Sequence, residues 1–354
     1  MPEKSDSAAD KNIRILVVQT AFLGDIILTT PLLLALKAAH PDSFLALLTT
    51  PVGAEALRGL PELDELIVYD KKGRDRGAGA FFKIISNLRA KKFDLALSPH
   101  RSFRTALVLA LSGIRVLVGF EDAALSRIYH FRIKRQKGMH DVERNLALLG
   151  PVAELPSNYQ PRLKLPVPVD FDLAKLGIAA GPGPLIGLAP GSAWPTKRWP
   201  ARNFAGLASM LAGKLGAKII LLGDKNDAGV CEEVAKADGE AVVNLAGRTS
   251  LQELFGIISK LDALVSNDSA PVHVGSAFGI PTVAIFGPTV PGFGFGPWGN
   301  PHKIIGRELA CRPCHHHGPV ECPEGHFKCM NEVSPGEVAA AVVELLKNRN
   351  ERVR

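Results

Sequence analysis

The chain has 354 residues, of which 46% are hydrophobic, 22% charged and 6% aromatic. That balance excludes a disordered or fibrous protein, and the length suits two domains that each bury a core of their own. The formal charge is +7, and residues 1–165 carry 24 Lys and Arg against 17 Asp and Glu, which leaves 18 of each kind for the remainder. Between Arg74 and Lys137 there are 14 basic residues and four acidic ones, Asp75, Asp94, Glu121 and Asp122. The first half therefore either meets an anionic partner (phosphates, nucleic acid or a membrane surface) or simply presents a solvated basic face. Met1–Asp10 is polar, with no apolar export segment, and the longest apolar stretch, Ala106–Phe120, is broken by Ser112, Gly113 and Arg115. A cytoplasmic protein with reduced cysteines is the expectation.

In chain order, Ile13–Val18 reads as a strand that ends at Gln19-Thr20-Ala21-Phe22-Leu23-Gly24-Asp25, and Ile26–Ala39 as a helix with Pro31 near its start. Phe44–Leu48, Leu66–Val68 and Leu95–Leu97 are further strands, separated by helical patterns at Ala54–Arg58 and Gly79–Lys91. A Pro- and Gly-rich stretch over 151–184 reads as a linker. The pattern then restarts. Strands at Leu185–Leu188, Lys218–Leu222, Val242–Asn244, Ala263–Ser266 and Thr282–Phe286 alternate with helices at Asn203–Leu215, Ala228–Ala237, Leu251–Ser259 and Pro271–Phe278. This is an α/β chain of two Rossmann-like doubly wound parallel-sheet domains, with a ligand expected where strand C-termini face an interdomain cleft.

Three segments carry candidate chemistry. Asp25 follows the first strand, where a carboxylate can take a proton from a hydroxyl or can serve as a helix cap. The single Gly24 is no G-x-G-x-x-G fingerprint, which counts against a nicotinamide-dependent oxidoreductase. The second segment, Leu188–Pro200 (LAPGSAWPTKRWP), sets Lys197 and Arg198 in a Gly- and Ser-containing loop that suits a diphosphate, or else forms a surface loop anchored by Trp194 and Trp199. It does not match the phosphate loop of nucleoside triphosphatases. The third, Leu264–Thr289, passes from a strand through Asn267-Asp268-Ser269-Ala270 directly into a helix with His273 in its first turn. Free N–H groups and the helix dipole make that end an anion site, although Asp268 could serve only as its cap.

Together these segments resemble the ADP-heptose:lipopolysaccharide heptosyltransferases, family 9 of the glycosyltransferases, and come nearest to the heptosyltransferase II branch. The family pattern G-D-x-x-x-x-x-P, then P-G-x-x-W-x-x-K-R-W-P, then N-D-[ST]-G-x-x-H followed by G-x-P-x-x-A-[LI]-F-G-P-T runs from Asn12 to Leu346, with Ala270 standing where the family usually has Gly. The resemblance implies a GT-B fold, with an acceptor-binding domain over 1–165, a nucleotide-sugar domain over 166–335 and a terminal helix, 336–354, folded back on the first domain. It implies an inverting transfer of heptose from ADP-heptose to the inner core of nascent lipopolysaccharide. Asp25 would be the general base and Lys197 the partner of the donor's phosphate and heptose. Ser192 and Ala193 would lie near the diphosphate, Thr249 near the adenine and Asp224 near the ribose. Asp268, Ser269, Ala270 and His273 would form the phosphate and sugar cluster. Arg101, Arg104, Arg127 and Lys134 are candidates to meet the anionic lipid A–Kdo acceptor at the inner face of the inner membrane. No cofactor is implied.

Cys311, Cys314, Cys322 and Cys329, with His315, His316, His317 and His326 between them, could build a tetrahedral zinc site or remain reduced, partly buried thiols. Two alternatives stay open. One is a family 9 enzyme with another nucleotide sugar or acceptor. The other is a basic nucleic-acid-binding protein with a zinc module at 311–329, which would leave the Lys197 and Asp268 loops without a purpose.

Overall fold

The computed structural model describes residues 13–167, 171–178, 181–236 and 241–353. The polar segment Met1–Asp10, parts of the expected linker (168–170 and 179–180) and Ala237 lie outside the described residues. Contacts divide the chain into two compact units: one runs to Gln136 and includes Asp141–Pro161, and the other takes Lys137–His140 and everything from Arg162 onward.

In the first unit the order is β1 (Arg14–Gln19), α1 (Leu23–Ala39), β2 (Phe44–Thr49), α2 (Pro51–Ala56), β3 (Glu65–Val68), α3 (Ala78–Lys91), β4 (Leu95–Ser98), α4 (Phe103–Leu111), β5 (Val116–Phe120), β6 (Phe131–Ile133) and α5 (Asp141–Ala147). The strands form one parallel sheet ordered β3-β2-β1-β4-β5-β6. Because helices cover both faces, Ile15–Val18 of β1 is an unbroken apolar run, and five of the strand's six residues are buried. The sheet reverses direction between β1 and β4, the switch point where ligands of such folds gather at the strand C-termini.

The second unit repeats this plan with β7 (Leu185–Ala189), α6 (Ala201–Leu215), β8 (Lys218–Leu221), α7 (Ala228–Ala235), β9 (Val242–Asn244), α8 (Leu251–Ser259), β10 (Ala263–Asn267), α9 (Ala270–Ala277), β11 (Thr282–Ile285), β12 (His302–Ile305), α10 (Lys328–Asn331) and α11 (Pro335–Val353). Its sheet order, β12-β11-β10-β7-β8-β9, is the same winding, with the switch between β7 and β10. Val338, Ala339, Val342 and Leu345 of α11 belong to the core of the second unit, among residues of α6 and the β7, β8, β10 and β11 strands. No helix among the described residues is long and apolar enough to cross a membrane.

Candidate active site

At the C-terminal end of β1 the chain turns through Thr20-Ala21-Phe22 into α1. Phe22 is the N-cap, and Asp25, three residues on, accepts its backbone N–H at 3.2 Å. Asp25 is thus the reach-back half of a capping box rather than the cap itself, and its side chain remains partly exposed. Burial pushes its pKa up to about 6, the buried Asp141 pushes it further in the same direction, and Arg135 pulls it back. A carboxyl so placed is ionised near neutral pH and is a stronger base than a free aspartate.

Neighbouring residues explain the local sequence. Pro31 lies inside α1 and cannot donate to the Ile27 carbonyl, and the Thr30 hydroxyl does so instead at 2.8 Å. Thr29 donates to the Asp25 carbonyl at 2.8 Å and accepts from Gln19 of β1, which ties the helix start to the strand. Asp141, at the start of α5, is gripped by Arg135 at 3.0 Å and lies 3.5 Å from Arg144. These ion pairs escape sequence reasoning, because nothing in the order of residues shows that α5 packs on α1.

The basic residues singled out in this unit have different surroundings. Arg101 is exposed and paired with Asp122 at 2.6 Å, and Arg127 is exposed on a short turn. Arg104 is committed to the loop after β3: it donates to the Tyr69 hydroxyl at 2.5 Å and to the carbonyls of Asp75 and Arg76, and stacks near Phe81. Lys134 is exposed.

In the second unit, the loops after β7 and β10 are sewn together by Asn267. Its amide oxygen accepts the Trp199 N–H at 3.0 Å and its amide nitrogen donates to the Pro190 carbonyl at 2.8 Å. This brings Lys197 onto Asp268, Nζ to Oδ2 at 2.6 Å, and Thr289 donates to the same oxygen at 2.6 Å. Both ionic side chains are nearly buried, 12% and 8% exposed, so each depends on the other. Ser192 is buried, and its carbonyl accepts the Arg198 Nε–H at 2.9 Å, whereas Ala193 beside it is exposed. Ser269 caps α9, Ala270 is its first residue, and His273 is buried in its first turn. Burial drives the His273 pKa down to about 3, so the ring is neutral, and its Nδ1 has no partner among the described residues.

Asp224 stands exposed after β8, with its carboxylate accepting the Asn226 N–H at 2.7 Å. The loop that carries Thr249 lies against it: the Gly247 N–H donates to the Gly223 carbonyl at 3.0 Å, and Gly247, at φ +70°, packs on the Lys225 backbone. The structure therefore groups Ser192, Lys197, Asp268, Ser269, Ala270 and His273 at one end of this sheet and places the Asp224 and Thr249 loops side by side.

Cys314, Cys322 and Cys329 line one small pocket with Thr196, Pro288, Pro319 and Phe327, but among the described residues no group of three or more His, Cys, Asp or Glu side chains is arranged to hold a metal ion. The Cys314 thiol turns to the Cys311 carbonyl at 2.9 Å, and burial pushes Cys329 up to about 11, which keeps it protonated. Cys231 is buried in the core.

Two doubly wound parallel sheets, one followed by a carboxylate of raised pKa and the other by a lysine–aspartate pair beside a helix N-terminus, are the frame of an α/β enzyme. The chain belongs to glycosyltransferase family 9 (heptosyltransferase), whose model matches residues 81–324. It is 27% identical over 345 residues to lipooligosaccharide heptosyltransferase 2 of Campylobacter jejuni, covering 95% of this chain and 99% of that one. The crystal structure of a family 9 glycosyltransferase from Veillonella parvula superposes with a TM-score of 0.85 at 26% identity, covering 97% of this chain and all of the other. The E. coli ADP-heptose LPS heptosyltransferase II shares the fold at a TM-score of 0.79 and 24% identity, over 96% of this chain and all of that one. The two Rossmann-like domains are those of the GT-B class.

Proposed function

We propose that the protein is an inverting glycosyltransferase that moves a heptose from ADP-heptose to the inner core of nascent lipopolysaccharide. Asp25 is the observation that carries this reading: a partly exposed carboxyl at a strand C-terminus, raised to about 6, is suited to deprotonate an attacking sugar hydroxyl. The hydroxyl oxygen attacks the anomeric carbon, its proton passes to Asp25, and the bond to the diphosphate breaks with ADP carrying away the electron pair. Negative charge builds on the departing phosphate, where Lys197 and the N–H groups opening α9 stabilise it. Ser192 and Ala193 line the diphosphate, and Asp268, Ser269, Ala270 and the neutral His273 shape the phosphate and sugar site. Thr249 and Asp224, on adjoining loops, take the adenine and the ribose. The names of the near-full-length relatives support the donor and acceptor classes.

The first unit binds the acceptor, and its basic excess suits lipid A bearing acidic Kdo sugars and phosphates. Arg101, Arg127 and Lys134 are exposed cations that can meet it, whereas Arg104 is held by the loop after β3. The enzyme works at the cytoplasmic face of the inner membrane through peripheral contact. A thermal-shift screen of ADP-, UDP- and GDP-sugars tests the donor: selective stabilisation by ADP-heptose is expected, and equal or greater stabilisation by a UDP- or GDP-sugar would assign the site to another donor.

A further inference from the structure

The switch point of the first sheet holds a second cluster. Lys71, three residues beyond the end of β3, donates from Nζ to the Thr20 hydroxyl at 3.1 Å, with the His100 Nε2 at 3.4 Å. Thr20 follows β1 and His100 follows β4, so the group sits where the winding reverses. Since the ammonium can only donate, Nε2 must accept, and the ring proton lies on Nδ1, 2.7 Å from the Thr105 hydroxyl. His100 is neutral as a result, with a pKa that burial and the neighbouring cation push down to about 3.

The charge of Lys71 meets no carboxylate among the described residues. Lys37, Lys91, Arg135 and Arg144, also removed from full exposure in this unit, each face a carboxylate, while Arg14 and Arg104 donate to carbonyls. Lys71 has a hydroxyl and a neutral ring, and burial together with the neighbouring Lys72 and Arg104 pushes its pKa down to about 8. A half-buried cation among cations costs stability that a neutral side chain would not. Stapling three loops does not require it, because a glutamine could bond the same hydroxyl and ring. An incoming anion would offset the cost.

We propose that Lys71, Thr20 and His100 form a subsite for one anionic oxygen group, a carboxylate or a phosphate, of the acceptor. The proposal rests on the glycosyltransferase reading for the identity of the acceptor. The turn that supplies Thr20 also supplies the Phe22 N–H that holds Asp25, so an anion seated on Lys71 fixes the acceptor one turn of chain from the base.

The test uses the full chain as wild type, Lys71→Met, Lys71→Arg and Thr20→Val, with thermal melts to confirm folding. Calorimetry with free Kdo and with inorganic phosphate needs no donor: the wild type and Lys71→Arg are expected to bind at least one of them, and Lys71→Met to lose at least tenfold in affinity. In transfer assays with Kdo-lipid A, Lys71→Met is expected to raise the acceptor KM at least tenfold with the donor KM unchanged, and Thr20→Val to raise it less. Removing the acceptor's phosphates erases the difference between wild type and Lys71→Met if phosphate is the ligand, and esterifying the Kdo carboxylate erases it if the carboxylate is. Anion binding and acceptor KM that are equal in wild type and Lys71→Met would overturn the subsite even where heptose is transferred. A wild type that binds an anion through Lys71 but transfers no heptose would keep the subsite and overturn the glycosyltransferase reading.

Discussion

Asp25 carries opposite consequences for stability and for activity. Its pKa rises from 3.8 to about 6 on folding, so the folded chain holds that proton more tightly than the unfolded one. Ionisation therefore costs stability progressively as pH rises through that window, and the full cost is present above it. Asp25→Asn keeps an oxygen for the Phe22 N–H and removes the cost. The variant is expected to be more stable than wild type at pH 7.5 by about 1 to 3 kcal/mol, with the gain gone near pH 4. Its transfer rate should fall by roughly a hundredfold or more while ADP-sugar affinity holds. Wild-type kcat/KM should climb with pH and level off above about 6. Chemical denaturation and initial rates across pH check both, and a variant that loses stability together with donor binding would make Asp25 a structural residue. At this scale the sequence was informative for residues next to a strand end. Asp25, Lys197 and Asp268 each follow an apolar run and could be picked out one by one. Lys71 and His100 could not, because their significance comes from three loops distant in sequence that meet only once the sheet is wound.

The loop of Lys197 and the turn of Asp268 act as one element through Asn267 and the ion pair. Lys197→Ala strands a nearly buried carboxylate and is expected to cost about 3 kcal/mol or more. Lys197→Met combined with Asp268→Asn removes both charges and should return stability to within about 1 kcal/mol of wild type, yet turnover should stay at least about a hundredfold down. Denaturant melts beside single-turnover rates separate the two effects, and recovery of turnover with stability would show that the pair only holds the loops together. Strand positions were legible because parallel strands buried on both faces read as plain apolar runs. Helix starts were less so: α1 begins at Leu23 rather than Ile26, and its proline lies in the interior, made tolerable by the Thr30 hydroxyl. The strands β5, β6 and β12 and the short helices α4, α5 and α10 do not show in the sequence pattern. β5 adjoins α4 in one apolar stretch without a change of period, and β6 is three residues long, too short for alternation to show.

Across the whole molecule the charge is divided: residues 1–165 hold the basic excess, whereas the remainder of the chain is balanced. If the first unit receives a polyanionic acceptor, the acceptor KM should rise several-fold between about 50 and 300 mM KCl while the donor KM changes little, because exposed charges are screened and the lysine–aspartate site is nearly buried. Steady-state kinetics at varied salt measures it, and an acceptor KM indifferent to salt would make the basic face mere solvated surface. The two-domain plan was legible because the βα grammar stops at a Pro-rich stretch and restarts. The packing of α11 was not, because an amphipathic terminal helix carries no mark of which apolar surface it covers. The central claim is that this chain transfers heptose to an anionic glycolipid with Asp25 as its base, and mass spectrometry of the acceptor tests it most directly. After incubation of the purified protein with ADP-heptose and Kdo-lipid A, the acceptor should gain the mass of one heptose as ADP is released, and Asp25→Asn should leave it unchanged. An acceptor left unmodified by wild type, or modified equally by Asp25→Asn, would contradict the account.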